Sequence, residues 1–272
     1  MRRVTLASGI TLRVLEAGPA TGPPLLLLHG WAVSAYLWRK NILPLAGAGF
    51  RVYAPDLPAH GLSDVPAGEG RFTLARFTAS LGELMDALQL PRVAIAAQSM
   101  AGKIAVQFAL KSPERVSRLV LFGPVGFGLI PRPHWLVPLV RWLPGGVIPW
   151  FVPRRLVAFV QQRVYGKLGY FTDRDVDEYW APSQFPSVLR AQLGMLDEFS
   201  WGLWDESALR RLTTPTHVVF GTRDRTVRPK PAERLAAYLP NGRLTWIVDG
   251  GHVVMEEVPE RINAMLLAEF GD

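Results

Sequence analysis

Ser99 stands in "VAIAAQSMAGKIAVQFALK" (residues 93–111), between an apolar run of strand type and a run of helical spacing. A serine there is ordinarily a helix cap. A strand-to-helix turn also presents a hydroxyl at the carboxyl edge of a parallel sheet, where it can serve as a nucleophile. That chemistry requires a base to take the proton, an acid to orient and support the base, and donors for the developing oxyanion.

Each partner has a candidate. His252 in "DGGHVVMEE" directly follows a strand-like run and a glycine pair, so a loop at the same edge makes it available as the base. Asp224 in "VVFGTRDRTV" lies a few residues past another strand and is the preferred acid. Asp249 precedes His252 too closely to reach its ring easily, and "FGPVG" at 122–126 carries no acid. The backbone N–H of Met100, at the start of the helical run, can point at a negative oxygen. The N–H of Trp31, just past "LLLLHG", is the second oxyanion donor.

The elements that must position these residues follow from periodicity. "PLLLLHG", "RVYAPDL" and "RVAIAAQS" are each followed by a stretch of helical spacing, an alternation that predicts a mostly parallel central sheet with crossover helices on both faces. In the second of these helices Leu74, Phe77, Leu81, Leu84, Met85 and Leu88 form one stripe for burial. The opening "RRVTLASGITLRVLEAG" alternates on both sides of Ser8 and Gly9, which predicts a hairpin and an antiparallel edge. From about Val125 to Asp205 the rhythm breaks and the chain holds six of its nine tryptophans. Strand and helix alternate again from "PTHVVFGTRD", so the middle reads as inserted.

Composition narrows the chemistry. The 272 residues, 49% of them hydrophobic, suffice for one domain with an insertion. There is no cysteine, and no H-x-x-x-H pair occurs among five histidines, so neither a thiolate nor a zinc site is expected. The net charge of +7 is scattered, which argues against nucleic acid as a partner. The first residues hold two arginines without an apolar segment behind them, so a cytoplasmic location is expected.

Four motifs in order, "HGW", "DLPAHGLSD", "QSMAG", and "GTRD" with "GGH", resemble the α/β-hydrolase fold superfamily, whose order of nucleophile, acid and base is Ser, Asp, His. The resemblance covers nearly the whole chain apart from the insertion. It implies Ser99, Asp224 and His252 as a catalytic triad that needs neither metal nor organic cofactor. It also implies that His29 supports the oxyanion loop and that Asp56 holds its own loop together. The family elbow G-x-S-x-G has Ala97 and Ala101 in its glycine places, and Ala59 stands for another family glycine. Haloalkane dehalogenases and epoxide hydrolases need an aspartate where Ser99 stands. Lys103 lies four residues after Ser99, whereas a serine/lysine mechanism of the S-x-x-K kind needs three.

The expected division is a hydrolase core over 1–126 and 206–272 with a mainly helical cap over 127–205. Trp135, Trp142 and Trp150 are the candidate pocket rings of that cap. Prolines and arginines interrupt its apolar runs, so no stable membrane insertion is expected. Tryptophan beside arginine suits a buried seam, the expected reading, and leaves transient lipid-surface contact open. The function expected is cleavage of a small apolar carboxylic ester through an acyl-enzyme, by a monomer or homodimer. Meta-cleavage carbon–carbon hydrolysis, lactonase and cofactor-free perhydrolase chemistry use the same triad, and a small-molecule sensor that keeps the triad without turnover is the alternative of another class.

Overall fold

The computed structural model describes residues 1–130 and 152–271. Trp135, Trp142 and Trp150 lie outside the described residues. Eight strands form one sheet: β1 Arg2–Thr5, β2 Thr11–Ala17, β3 Pro24–Leu28, β4 Arg51–Pro55, β5 Val93–Gln98, β6 Val116–Phe122, β7 Thr216–Gly221 and β8 Gly242–Ile247. Their spatial order is β1-β2-β4-β3-β5-β6-β7-β8. The expected hairpin is present: β1 pairs with β2, and β2 with β4, antiparallel. The remaining neighbours pair in parallel.

Leu25 and Leu27 of β3 join one apolar cluster and Leu26 and Leu28 the other, the alternation required of a strand covered on both faces. Helices α2 Leu74–Ala87 and α3 Met100–Lys111 and the short α8 Ala232–Ala236 pack on one face. Helices α1 Ile42–Gly47, α9 Val254–Glu257 and α10 Pro259–Phe270 cover the other. On α2, Phe77, Leu81, Leu84 and Met85 are buried as the spacing predicts. The stretch of helical spacing that follows "PLLLLHG" is broken in the structure. A 3-10 turn occupies Ala35–Trp38 and α1 starts only at Ile42, because Asp56 Oδ1 takes the Ala35 N–H (2.8 Å) and Asn41 donates to Asn263 (2.7 Å).

Between β6 and β7 the described residues contribute α4 Arg154–Val164, α5 Asp173–Trp180 and α6 Pro186–Glu198, with α7 Glu206–Arg211 leading back to the sheet. On α4 Leu156, Phe159 and Val160 are exposed while Gln161 is buried. No helix of the described residues is long and apolar enough to cross a membrane.

Asp56 ties the loop after β4 to the rest of the sheet edge. It accepts from Arg13 Nε (2.6 Å) and Nη2 (2.9 Å), from Ala35 N (2.8 Å) and from Leu62 N (2.8 Å). Burial works against its ionisation, yet Arg13 and these donors hold its pKa below the ordinary carboxylate value. Truncating a buried, paired carboxylate leaves its donors unpaired. Asp56→Ala is expected to lower stability by about 3–5 kcal/mol in urea unfolding, with an unchanged denaturant slope.

Candidate active site

Ser99 is the single residue between β5 and α3, with φ 54° and ψ −118°. Residues other than glycine hold such a conformation only where the surroundings impose it. Here Ser99 N donates to Phe122 O (2.9 Å), and Ser99 O accepts from Gly102 N and Val125 N (3.0 Å each). The side chain does not cap α3, so the ordinary role of a serine at a helix start is not taken. Ala97 and Ala101 are both fully buried and accommodated. The tight approaches fall at Gly102, one place past Ala101, and at Gly30 in the loop after β3. A Cβ added at Gly102 would lie 2.6 Å from the Pro124 Cβ, and one at Gly30 would lie 2.8 Å from the Ser99 Cβ. The turn therefore demands missing side chains at positions 30 and 102, and methyl groups fit at 97 and 101.

His252 Nδ1 donates to Asp224 Oδ2 at 2.7 Å, and both side chains are buried. The second carboxylate oxygen, Oδ1, accepts from Thr226 N (2.9 Å) and Val227 N (2.8 Å) in the turn after β7. Those two amides fix the carboxylate, and the carboxylate fixes the imidazole tautomer, leaving Nε2 as the nitrogen able to accept a proton. Asp249 turns instead to Arg223. Gly123, at φ 50°, fits beneath the pair: a Cβ there would lie 2.8 Å from both Asp224 Oδ2 and His252 Nδ1. Gln98, next to Ser99, donates to His252 O at 3.4 Å, which ties the serine turn to the histidine loop. Ser99 Oγ and His252 Nε2 have no hydrogen-bond partner among the described residues.

Met100 opens α3, so its N–H is among the amides that a helix start leaves unpaired. Neither its N–H nor that of Trp31 has a backbone acceptor among the described residues. As an oxyanion donor Trp31 would contribute only its main chain. In the structure its indole also donates to Gln192 O of α6 (3.0 Å) and meets the Trp201 ring edge-on. Trp31 thus links the loop after β3 to the inserted helices, a contact for which its position gives no local signal.

His29 is structural, as the resemblance implied. Its Nδ1 donates to Gly30 O (2.8 Å) and its Nε2 accepts from Leu57 N (2.9 Å), which joins the loops after β3 and β4. Burial lowers its pKa. His60 stacks edge-on against it at 5.1 Å and donates from Nδ1 to Pro58 O (2.9 Å), while its Nε2 is buried without a partner. Lys103, one turn along α3, points away from the chemistry expected of Ser99: Nζ donates to Gly202 O (2.6 Å) and lies 4.8 Å from the Trp204 ring, and burial lowers its pKa to about 8. A hollow of about 830 Å³ lies between the loop after β4, α2 and the start of α6, and neither Ser99 nor His252 lines it.

A mostly parallel sheet with helices on both faces and a helical insertion after β6 defines an α/β-hydrolase architecture. The family model described as "alpha/beta hydrolase fold" matches residues 23–259, and the chain belongs to that family. It is 32% identical over 266 residues to the magnesium-chelatase 30 kDa subunit of Rhodobacter capsulatus, a match covering 93% of this chain and 89% of that protein. It is 28% identical over 268 residues to 2-hydroxy-6-oxo-6-phenylhexa-2,4-dienoate hydrolase of Burkholderia cepacia, covering 96% and 91%. Its fold is similar to that of the carboxylesterase CesB of Bacillus subtilis, with a TM-score of 0.80, 22% identity and coverage of 100% and 91%.

The histidines beneath the site make stability depend on pH. Burial first, then the neighbouring His29, push His60 from 6.5 down to about 3. With the folded value below the unfolded one, this contribution is complete above pH 6.5 and drains away as pH falls toward 3. At pH 5 the loss from one such group is roughly 2 kcal/mol. His60→Asn keeps a donor for Pro58 O and cannot titrate. Its fall in Tm between pH 7 and pH 5, measured by calorimetry, is therefore expected to be smaller than that of the wild type.

Proposed function

We propose that this α/β hydrolase is a serine hydrolase that cleaves carboxylic esters of apolar acyl or aryl groups through an acyl-enzyme. The observation that carries the reading is the 2.7 Å bond between His252 Nδ1 and Asp224 Oδ2, on the loop that Gln98 ties to Ser99. In the proposed cycle His252 Nε2 takes the Ser99 proton as Oγ attacks the ester carbonyl. Asp224 stabilises the imidazolium, and the N–H groups of Trp31 and Met100 receive the negative oxygen. The imidazolium returns its proton to the leaving alcohol as the carbon–oxygen bond breaks. Water then attacks the acyl-enzyme with the same base, releasing the acid and restoring Ser99.

Two relatives support alternatives. The dienoate hydrolase from Burkholderia cepacia favours a carbon–carbon substrate for the same residues. The Rhodobacter capsulatus relative bears the name of a subunit, which favours a member of this fold that acts by binding.

A series of p-nitrophenyl esters and a meta-cleavage dienoate separates these readings. Ester turnover is expected in the wild type and is expected to vanish in Ser99→Ala with the circular dichroism spectrum unchanged. Undiminished turnover in that variant would remove Ser99 from the mechanism, and dienoate cleavage alone would favour the carbon–carbon reading. Absence of all turnover, with tight binding of one small molecule, would favour the binding reading. Asp224→Asn is expected to lower kcat by about ten-thousandfold, because the imidazole loses the partner that sets its tautomer and supports its charge.

A further inference from the structure

The loop that bears His252 is bonded to the inserted segment by its main chain. His252 N donates to Val164 O at the end of α4, and Lys167 N donates back to Asp249 O, both at 2.8 Å. Between these two rungs the backbones touch. A Cβ added at Gly166 would lie 2.2 Å from Asp249 O, and one at Gly251 would lie 2.4 Å from Gly166 N. The two amides left over between the rungs, Gly251 N and Gly166 N, both end on Glu257. Its Oε1 accepts the first (2.8 Å) and its Oε2 the second (2.9 Å).

Glu256, the preceding residue of α9, is buried and joins the same two parts by side chains. It accepts from Arg39 of the core and from the hydroxyls of Tyr165 and Tyr179 of the insertion. Arg39 reaches on to Asp175 of α5 at 2.7 Å. A carboxylate offers one oxygen to each backbone, whereas an amide side chain would offer one acceptor and one donor. A backbone ladder closed by such a carboxylate opens as a unit, since separating the strands unpairs every member together.

We propose that Glu257 is a positioning residue that couples the seating of the inserted helices to the placement of His252. When the Val164–Lys167 segment leaves the core, the His252 backbone loses its acceptor and Gly251 shifts with it. The insertion and the base are then assembled in one step. The kinetic consequence rests on the role given to His252 under the proposed function. The structural coupling does not.

Amide hydrogen exchange of the wild-type protein, read residue by residue by NMR, tests the coupling without reference to activity. Gly166, Lys167, Gly251 and His252 are expected to share one opening, with protection factors within about threefold of each other. Exchange of Gly166 and Lys167 about a hundredfold faster than that of Gly251 and His252 would overturn the proposal. In kinetics on a p-nitrophenyl ester, Glu257→Gln is expected to lower kcat about tenfold with KM within about twofold, and to displace the ascending limb of the pH–rate profile. A folded Glu257→Gln enzyme with the wild-type kcat and pH profile would overturn it too. A wild type without ester turnover would count against the hydrolase reading, and the exchange measurement would still decide the coupling.

Discussion

Parallel register is the constraint on which the rest of the site depends. Leu28 of β3 pairs with Ala97 of β5, Ala97 with Leu121 of β6, Leu121 with Val218 of β7, and Val218 with Leu244 of β8, so five strands cross one row in the same direction. Whatever follows each strand must leave along the same edge. That is why His29 and Gly30, Ser99, Gly123, Asp224 and His252 meet, although the outermost of them are more than two hundred positions apart in the chain. The antiparallel β1 and β2 supply no member of this group. Their part is to carry Arg13 to Asp56 and thereby to anchor the loop after β4.

The edge is crowded, and the crowding has a cost that the core offsets. Ser99 occupies a conformation that L residues avoid, and Ala32, Ala59 and Asp249 in the neighbouring loops also have positive φ. Each such residue costs on the order of 1–3 kcal/mol. Two fully covered faces of leucine, valine and isoleucine stabilise the sheet against that strain, at roughly 1.5–3 kcal/mol for each large apolar side chain buried. The turn at Ser99 is held from outside itself, by Phe122 O and by the amides of Gly102 and Val125.

Burial also sets the state of the histidines at this edge. His29 and His60 are held neutral beneath the edge and serve as struts. His252 differs in its partner: its Nδ1 donates to the Asp224 carboxylate, whereas those of His29 and His60 donate to backbone carbonyls. Two adjacent glutamates after His252 divide their work by direction. Glu256 reaches side chains of both core and insertion, and Glu257 reaches only backbone amides.

The sequence by itself determined the alternation of strands and helices, the N-terminal hairpin, the order of Ser99, Asp224 and His252, and the choice of Asp224 over Asp249. Each depends on local periodicity or on position just past a strand, and both are written in neighbouring residues. Only the tertiary structure decided how tightly glycine is required at three places, since atoms from other segments crowd Gly30, Gly102 and Gly123, the last of which also has a positive φ of its own. It also decided that the helix expected around Tyr36 breaks, that Trp31 reaches α6, that α4 turns Leu156, Phe159 and Val160 outward, and that Glu257 closes two backbones together. Asn263, Gln192 and Gly166 lie far along the chain from Asn41, Trp31 and Glu257, which they meet, and no local pattern can report an atom that arrives only when the sheet has formed.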